Sequence, residues 1–104
     1  MRYLIVARPR HFIPHDQLLT IIHGFTSWHH HYQPLLESTA FFAGGTGGYA
    51  VVDVPDVATL NEMSLEWPLT AYCDMEVHPL LDIETGLKQW ETIIQALPHG
   101  AAGR

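Results

Sequence analysis

Prolines at positions 9, 14, 34, 55 and 68 cut this chain into short segments, and the hydrophobic period changes from one segment to the next. Proline fixes φ and lacks a backbone N–H, so it stands at the ends of strands and helices more readily than inside them. Residues 2–7 (RYLIVA) are short, apolar and β-forming, which predicts a buried strand closed by Pro9. Between Pro14 and Pro34, Leu18, Ile21, Ile22, Phe25, Trp28, His29 and Tyr32 recur at helical spacing, with Asp16 as a start signal. This predicts a first helix ending near Tyr32.

Residues 37–43 (ESTAFFA) and 48–54 (GYAVVDV) read as two strands joined by the run GGTGG at 44–48. No helix and no Gly-Lys-Ser/Thr signature follows those glycines, so they suit a hairpin connection and not a phosphate cradle. Asp56 is placed to cap a second helix whose inner stripe is Val57, Leu60, Met63 and Trp67, ended by Pro68. Residues 70–77 (TAYCDMEV) alternate as a strand. Asp82 then caps a third helix, in which Ile83, Leu87, Trp90, Ile94 and Leu97 form one apolar stripe.

The order strand, helix, strand, strand, helix, strand, helix predicts an α+β fold, a ferredoxin-like βαββαβ unit with an extra C-terminal helix. A single domain over residues 1–97 is expected, with a disordered tail at 98–104. In such a fold the helices cover one face of an antiparallel sheet and leave the other open. For a chain of 104 residues, a second copy is the expected cover, which makes the protein a homodimer.

Composition narrows the function. Hydrophobic residues are 47% of the chain, too many for a disordered segment, and Asp, Glu, His and Pro interrupt them too often for a membrane span. The net charge is −6, and no Lys or Arg lies between Arg10 and Lys88, so there is no basic stripe to engage nucleic acid. The first residues lack the long apolar region of a secretory signal, and a lone Cys73 allows no internal disulfide; a cytoplasmic protein is expected. Arg8, Arg10 and His11 form the one basic cluster, either an anion site or solvated charges at a strand end.

Residues 47–77 (GGYAVVDVPDVATLNEMSLEWPLTAYCDMEV) resemble muconolactone isomerases, which share a strand ending in Asp-Val-Pro, a helix, a short break and a strand of the Tyr-x-Asp-x-Glu-Val type. Residues 74–90 (DMEVHPLLDIETGLKQW) resemble small bacterial domains of unknown function in the same dimeric α/β-barrel group. The resemblance implies two sheets packed face to face in a dimer, with a pocket between each sheet and its helices. It also implies proton transfer within a small lactone, without a cofactor. The first helix departs from that family, carrying histidines and aromatics where the family carries acidic and basic residues.

The run HHH at 29–31 divides into separate environments. At about 100° per residue, the inner face of the first helix takes Leu18, Ile22, Phe25, His29 and Tyr32, while His23 and His30 point to solvent and His31 lies on a flank. Two imidazoles that share a metal on a helix stand three or four residues apart, and no pair among these four does. No metal site is expected. A His29 buried among Phe25, Trp28 and Tyr32 would keep a neutral imidazole fit to accept a proton, or would simply be a core histidine bonded to a backbone carbonyl.

On the strand at 70–77, Tyr72, Asp74 and Glu76, with His78 beyond, alternate onto one face. They are either coupled acids or the charged outer side of an edge strand. Tyr49 and Asp53 face a side that depends on register. Cys73 reads as a small core residue, and Trp28, Trp67 and Trp90 each fall on a helix core stripe.

The first expectation for function is therefore a cofactor-independent isomerase or cyclase moving a proton on a small hydrophobic cyclic carbonyl or lactone. His29, Tyr32, Tyr49, Asp74 and Glu76 are its candidate catalytic residues, and Arg8, Phe25, Trp28 and Trp67 its candidate substrate contacts. Cofactor-free oxygenation of an aromatic or polyketide-like compound is a second expectation. A non-catalytic dimer that holds a hydrophobic metabolite is the third.

Overall fold

The computed structural model describes residues 1–10 and 12–98. Its elements are β1 (Arg2–Pro9), α1 (Leu18–Tyr32), β2 (Leu36–Phe41), β3 (Gly48–Asp53), α2 (Val57–Glu66), β4 (Cys73–Pro79) and α3 (Ile83–Ala96). The strands form one antiparallel sheet in the order β2-β3-β1-β4. This is the ferredoxin-like βαββαβ arrangement with a C-terminal helix added. Residues 99–104, where the disordered tail was expected, and His11 lie outside the described residues.

Register sorts the side chains. Tyr3 pairs with Val52, Ile5 with Ala50 and Ala7 with Gly48, and this set faces the helices, since strand side chains alternate between faces. Trp28 and Tyr32 of α1 and Leu60 and Met63 of α2 pack onto it. Met63, Val52 and Val54 are almost wholly buried, each contributing about 1.5–3 kcal/mol of transfer free energy. The opposite face carries Leu4, Val6, Tyr49 and Val51 in its middle and charged residues at its ends.

Local signals account for the helix ends. Asp56 accepts from Thr59 N–H at 2.7 Å and Asp82 from Thr85 N–H at 2.9 Å, which satisfies donors that the first turn leaves free. Both carboxyls lie below the usual aspartate range, Asp56 through the Thr59 hydroxyl first and its N–H second and Asp82 through the Thr85 N–H first and its hydroxyl second, because these bonds favour the charged form.

Three expectations change. Residues 70–72 form a 3-10 turn and not the start of a strand: after Pro68, Thr70 N–H donates to Trp67 O at 3.1 Å and Tyr72 N–H to Leu69 O at 2.9 Å. Tyr72 thus leaves the alternating face, and its hydroxyl donates to Gln17. The first helix is rolled, with Trp28 against the sheet, His29 half-buried on the flank and Ile22 exposed. Trp28 wins the inner position because it offers the larger apolar surface and its indole N–H reaches Met63 O at 2.9 Å. The third change is in α3, where no residue is buried and Trp90 is 66% exposed, so its stripe is not part of this chain's core.

The hairpin reading of the glycine run holds, and Gly47 is its critical member. Its φ is +113°, and a Cβ there would stand 1.9 Å from Ala7 O. Gly47→Ala is expected to lower stability by about 2–4 kcal/mol, combining left-handed strain with a backbone clash. Chemical denaturation reads this directly; a loss under about 0.5 kcal/mol, the size of an ordinary surface change, would contradict it.

Candidate active site

Between the sheet and the two helices lies an apolar cavity of about 30 Å³. Ile5, Ala7 and Ala50 form its floor, Phe25, Trp28, Met63 and Trp67 its helix side, and Thr39, Phe41 and Met75 further walls. The aromatic rings contact one another: Phe25 lies 5.8 Å from Trp28 and 6.0 Å from Trp67, centroid to centroid. Such offset pairs fix the rings against each other. Both hydroxyls in the wall are already committed, Thr39 to Tyr49 O and Ser64 to Leu60 O, each at 2.9 Å.

A second, open groove of about 300 Å³ runs between α1 and the edge strand β2, lined by Phe25, Thr26, His29, Thr39, Ala40 and Phe41. His29 enters the site here, one residue beyond the inward Trp28. Among the described residues, it is the one ionisable side chain that lines either space from the helix side.

The structure brings together Phe25, Trp28, Trp67 and His29 from the expected set, and it separates the rest. Tyr49 turns to the opposite face, where its hydroxyl lies 2.7 Å from Ser38 Oγ and its ring stacks on Phe42 at 6.3 Å. On that same face Arg8 lies 3.6 Å from Glu76, Arg10 lies 3.2 Å from Asp74, and His78 lies 3.3 Å from Glu76. These pairs are exposed, and the two carboxylates meet Arg8 of β1 and Arg10 just beyond it and not the cavity. His29 and Asp74 therefore share no pocket. Arg8, a candidate substrate contact, stands on that outer face as well and not beside the cavity.

Tyr32 is buried at the far end of α1 and donates to Glu66, tying α1 to the end of α2. Burial first, and the Glu66 hydrogen bond second, push its hydroxyl up to about 12, so it is a neutral structural donor. Since this folded value exceeds the unfolded one near 10, its contribution is complete below that pH and disappears as pH rises through about 12. Tyr32→Phe is expected to cost about 1 kcal/mol at neutral pH and to flatten the alkaline limb of the stability curve. Urea titrations at several pH values test both parts; an unchanged alkaline slope would count against the assignment.

Cys73 is buried, and that burial raises its thiol pKa, which suits a core residue and not a nucleophile. Among the described residues no group of three His, Cys, Asp or Glu side chains converges to hold a metal ion. Among the described residues no helix is long and apolar enough to cross a membrane. Phe41, Met75, Thr39 and Ser64 are site residues that sequence reasoning missed. Strand alternation in ESTAFFA marked Phe41 and Thr39 as sharing a face, but only register shows that this face meets Phe25.

Solved structures share the fold. A crystal structure of muconolactone isomerase superposes with a TM-score of 0.68 at 21% identity, covering 79% of this chain and 90% of that one. The 5-chloro-2-hydroxyhydroquinone dehydrochlorinase of Burkholderia phenoliruptrix AC1100, in complex with 2,5-dihydroxybenzoquinone, gives 0.62 at 12% identity, covering 82% and 98%. No curated protein sequence matches the chain. A family profile described as a domain of unknown function, DUF3303, matches residues 1–94, and the chain belongs to that family.

Proposed function

We propose that this protein is a homodimeric, cofactor-independent enzyme that moves a proton on a small, flat, hydrophobic carbonyl compound, with His29 as the base. The observation that carries this reading is the position of His29, among the described residues the one ionisable side chain on the helix side of a largely apolar, aromatic-walled site. A neutral imidazole there accepts the proton next to the substrate carbonyl, and the electron pair moves onto the carbonyl oxygen. In an unsaturated substrate the imidazolium then returns the proton to the far carbon of the dienolate, the carbonyl re-forms and the double bond shifts; in a saturated one the proton returns to the same carbon. The Thr26 and Thr39 hydroxyls at the same groove donate to Ile22 O at 3.1 Å and Tyr49 O at 2.9 Å, which leaves their oxygens to accept from a substrate donor. The likeness to muconolactone isomerase supports the architecture of this reading, and the chemistry rests on the site.

The homodimer is part of the proposal. The outer sheet face carries half-buried Leu4 and Val51 around a buried Val6, and α3 leaves Ile83, Leu87, Trp90 and Ile94 exposed, an apolar helix stripe that a monomer seldom leaves uncovered. In the proposed dimer a second copy covers both surfaces. The experiment for the chemistry is proton exchange: the protein is incubated in deuterated water with a panel of small lactones and cyclic ketones, and NMR follows deuterium next to the carbonyl. Catalysed incorporation supports the enzyme. Absence of exchange across the panel overturns it.

A second reading has its own observation. The inner cavity of about 30 Å³ holds roughly two water molecules. A chamber this tight also suits a binding protein without chemistry, and ligand binding without any proton exchange would favour that reading.

A further inference from the structure

The inner cavity and the His29 groove share Phe25, Thr39, Ala40 and Phe41 as walls. The partition is an aromatic pair, with the Phe25 and Phe41 ring centroids 5.0 Å apart and tilted by 41°. Its two members differ in how they are held. Phe25 is anchored between Trp28 and Trp67. Phe41 is the last residue of an edge strand and is 65% exposed. An exposed side chain changes rotamer on a picosecond to nanosecond timescale without unpacking a core.

We infer that the Phe25–Phe41 pair is a gate, and that outward rotation of Phe41 joins groove and cavity into one site for an uncharged single-ring aromatic compound. The ring takes the space that Phe41 vacates together with the inner chamber, which by itself holds roughly two waters, and its polar substituent remains at the mouth, beside His29. Three features select this ligand class. The inner walls include Trp28, Trp67, Met63 and Met75, aromatic and polarizable side chains that favour an aromatic ring. Among the described residues no charged side chain lines the inner chamber, so an anion would lose its hydration without meeting a counter-ion. Arg8, which could have met a carboxylate, stands on the other face beside Glu76.

The inference uses the same site as the proposed proton transfer, yet binding is measured without turnover, so the two can fail separately. Phenol and benzoate are titrated into the intact protein while the indole N–H signals are followed by NMR. Trp28 and Trp67 report the inner chamber, and Trp90 on α3 is the internal control. Phenol is expected to shift Trp28 and Trp67 and leave Trp90 unmoved, with benzoate at least tenfold weaker. Phe41→Ala, at an exposed position, should bind phenol several-fold tighter, since no ring has to be moved aside. Ser64→Leu, which fills the inner chamber from a half-buried position, should abolish the shifts.

Four results overturn the gate: no phenol binding to either the parent or Phe41→Ala, equal phenol affinity in those two proteins, undiminished binding to Ser64→Leu, or benzoate binding as well as phenol. If the gate fails in this way while deuterium exchange still depends on His29, the proposed reaction stands and the groove alone is its site. If phenol behaves as expected and no exchange occurs, the gate stands and the enzyme reading falls.

Discussion

Replacing His29 with alanine is expected to reduce turnover about 10²–10⁴-fold, the usual worth of a positioned general base. The fold should survive, because His29 is half-buried on the flank of α1 and the contact with the sheet is made by Trp28. Folding and catalysis are thus separable at this position. The loss should fall on the maximal rate more than on substrate affinity, since the imidazole acts in the transition state and the rings supply most of the binding surface. His29→Gln keeps size and hydrogen bonding but cannot accept the proton, so it should be as inactive as the alanine variant. His30→Ala, one residue away and exposed, is the control and should keep full activity. Equal rates in the His29 and His30 variants would remove His29 from the mechanism.

If the proposed dimer forms, a chain carrying Leu87→Glu and Trp90→Glu is expected to run as a monomer at concentrations where the parent pairs. Helix α3 buries none of its residues, and the radius of gyration is 18.4 Å, against about 13 Å for a compact chain of this length. The helix projects from the domain with its apolar stripe uncovered. Both substituted residues are exposed in the single chain, so glutamate there costs the isolated fold little. If a second copy covers the stripe, two buried charges replace an aromatic and an aliphatic anchor, and the dimer should weaken by roughly 3–5 kcal/mol, or a few hundredfold or more. Light scattering across a dilution series measures this. An unchanged mass at every concentration would show that α3 has no role in assembly.

The elements were legible because their signals are local. Asp56 and Asp82 cap α2 and α3 through bonds three residues away, and the glycines between β2 and β3 turn where the chain needs positive φ. The beginning of β4 was misplaced by three residues because alternation in TAYCDMEV continues through a turn whose hydrogen bonds reach back to Trp67 and Leu69. Within the site, Phe25, Trp28 and Trp67 were legible as large apolar side chains on inward helix stripes. His29 was assigned to the inner face because spacing fixes the angles between helical residues but not the roll of the whole helix. The indole hydrogen bond to Met63, which decides that roll, comes from another element.

What the sequence by itself determined is therefore the order and type of the elements, and with them the ferredoxin-like topology, since proline, glycine, capping residues and period act within a few positions. What only the tertiary structure decided is which side chains meet. The pairing of β1 with β3 and β4 sent Arg8, Tyr49, Asp74 and Glu76 to one face of the sheet and Phe41 to the other, opposite Phe25. A one-residue slip in register would exchange those faces without changing any local propensity. The site is a product of long-range pairing, and that information resides in the packed sheet.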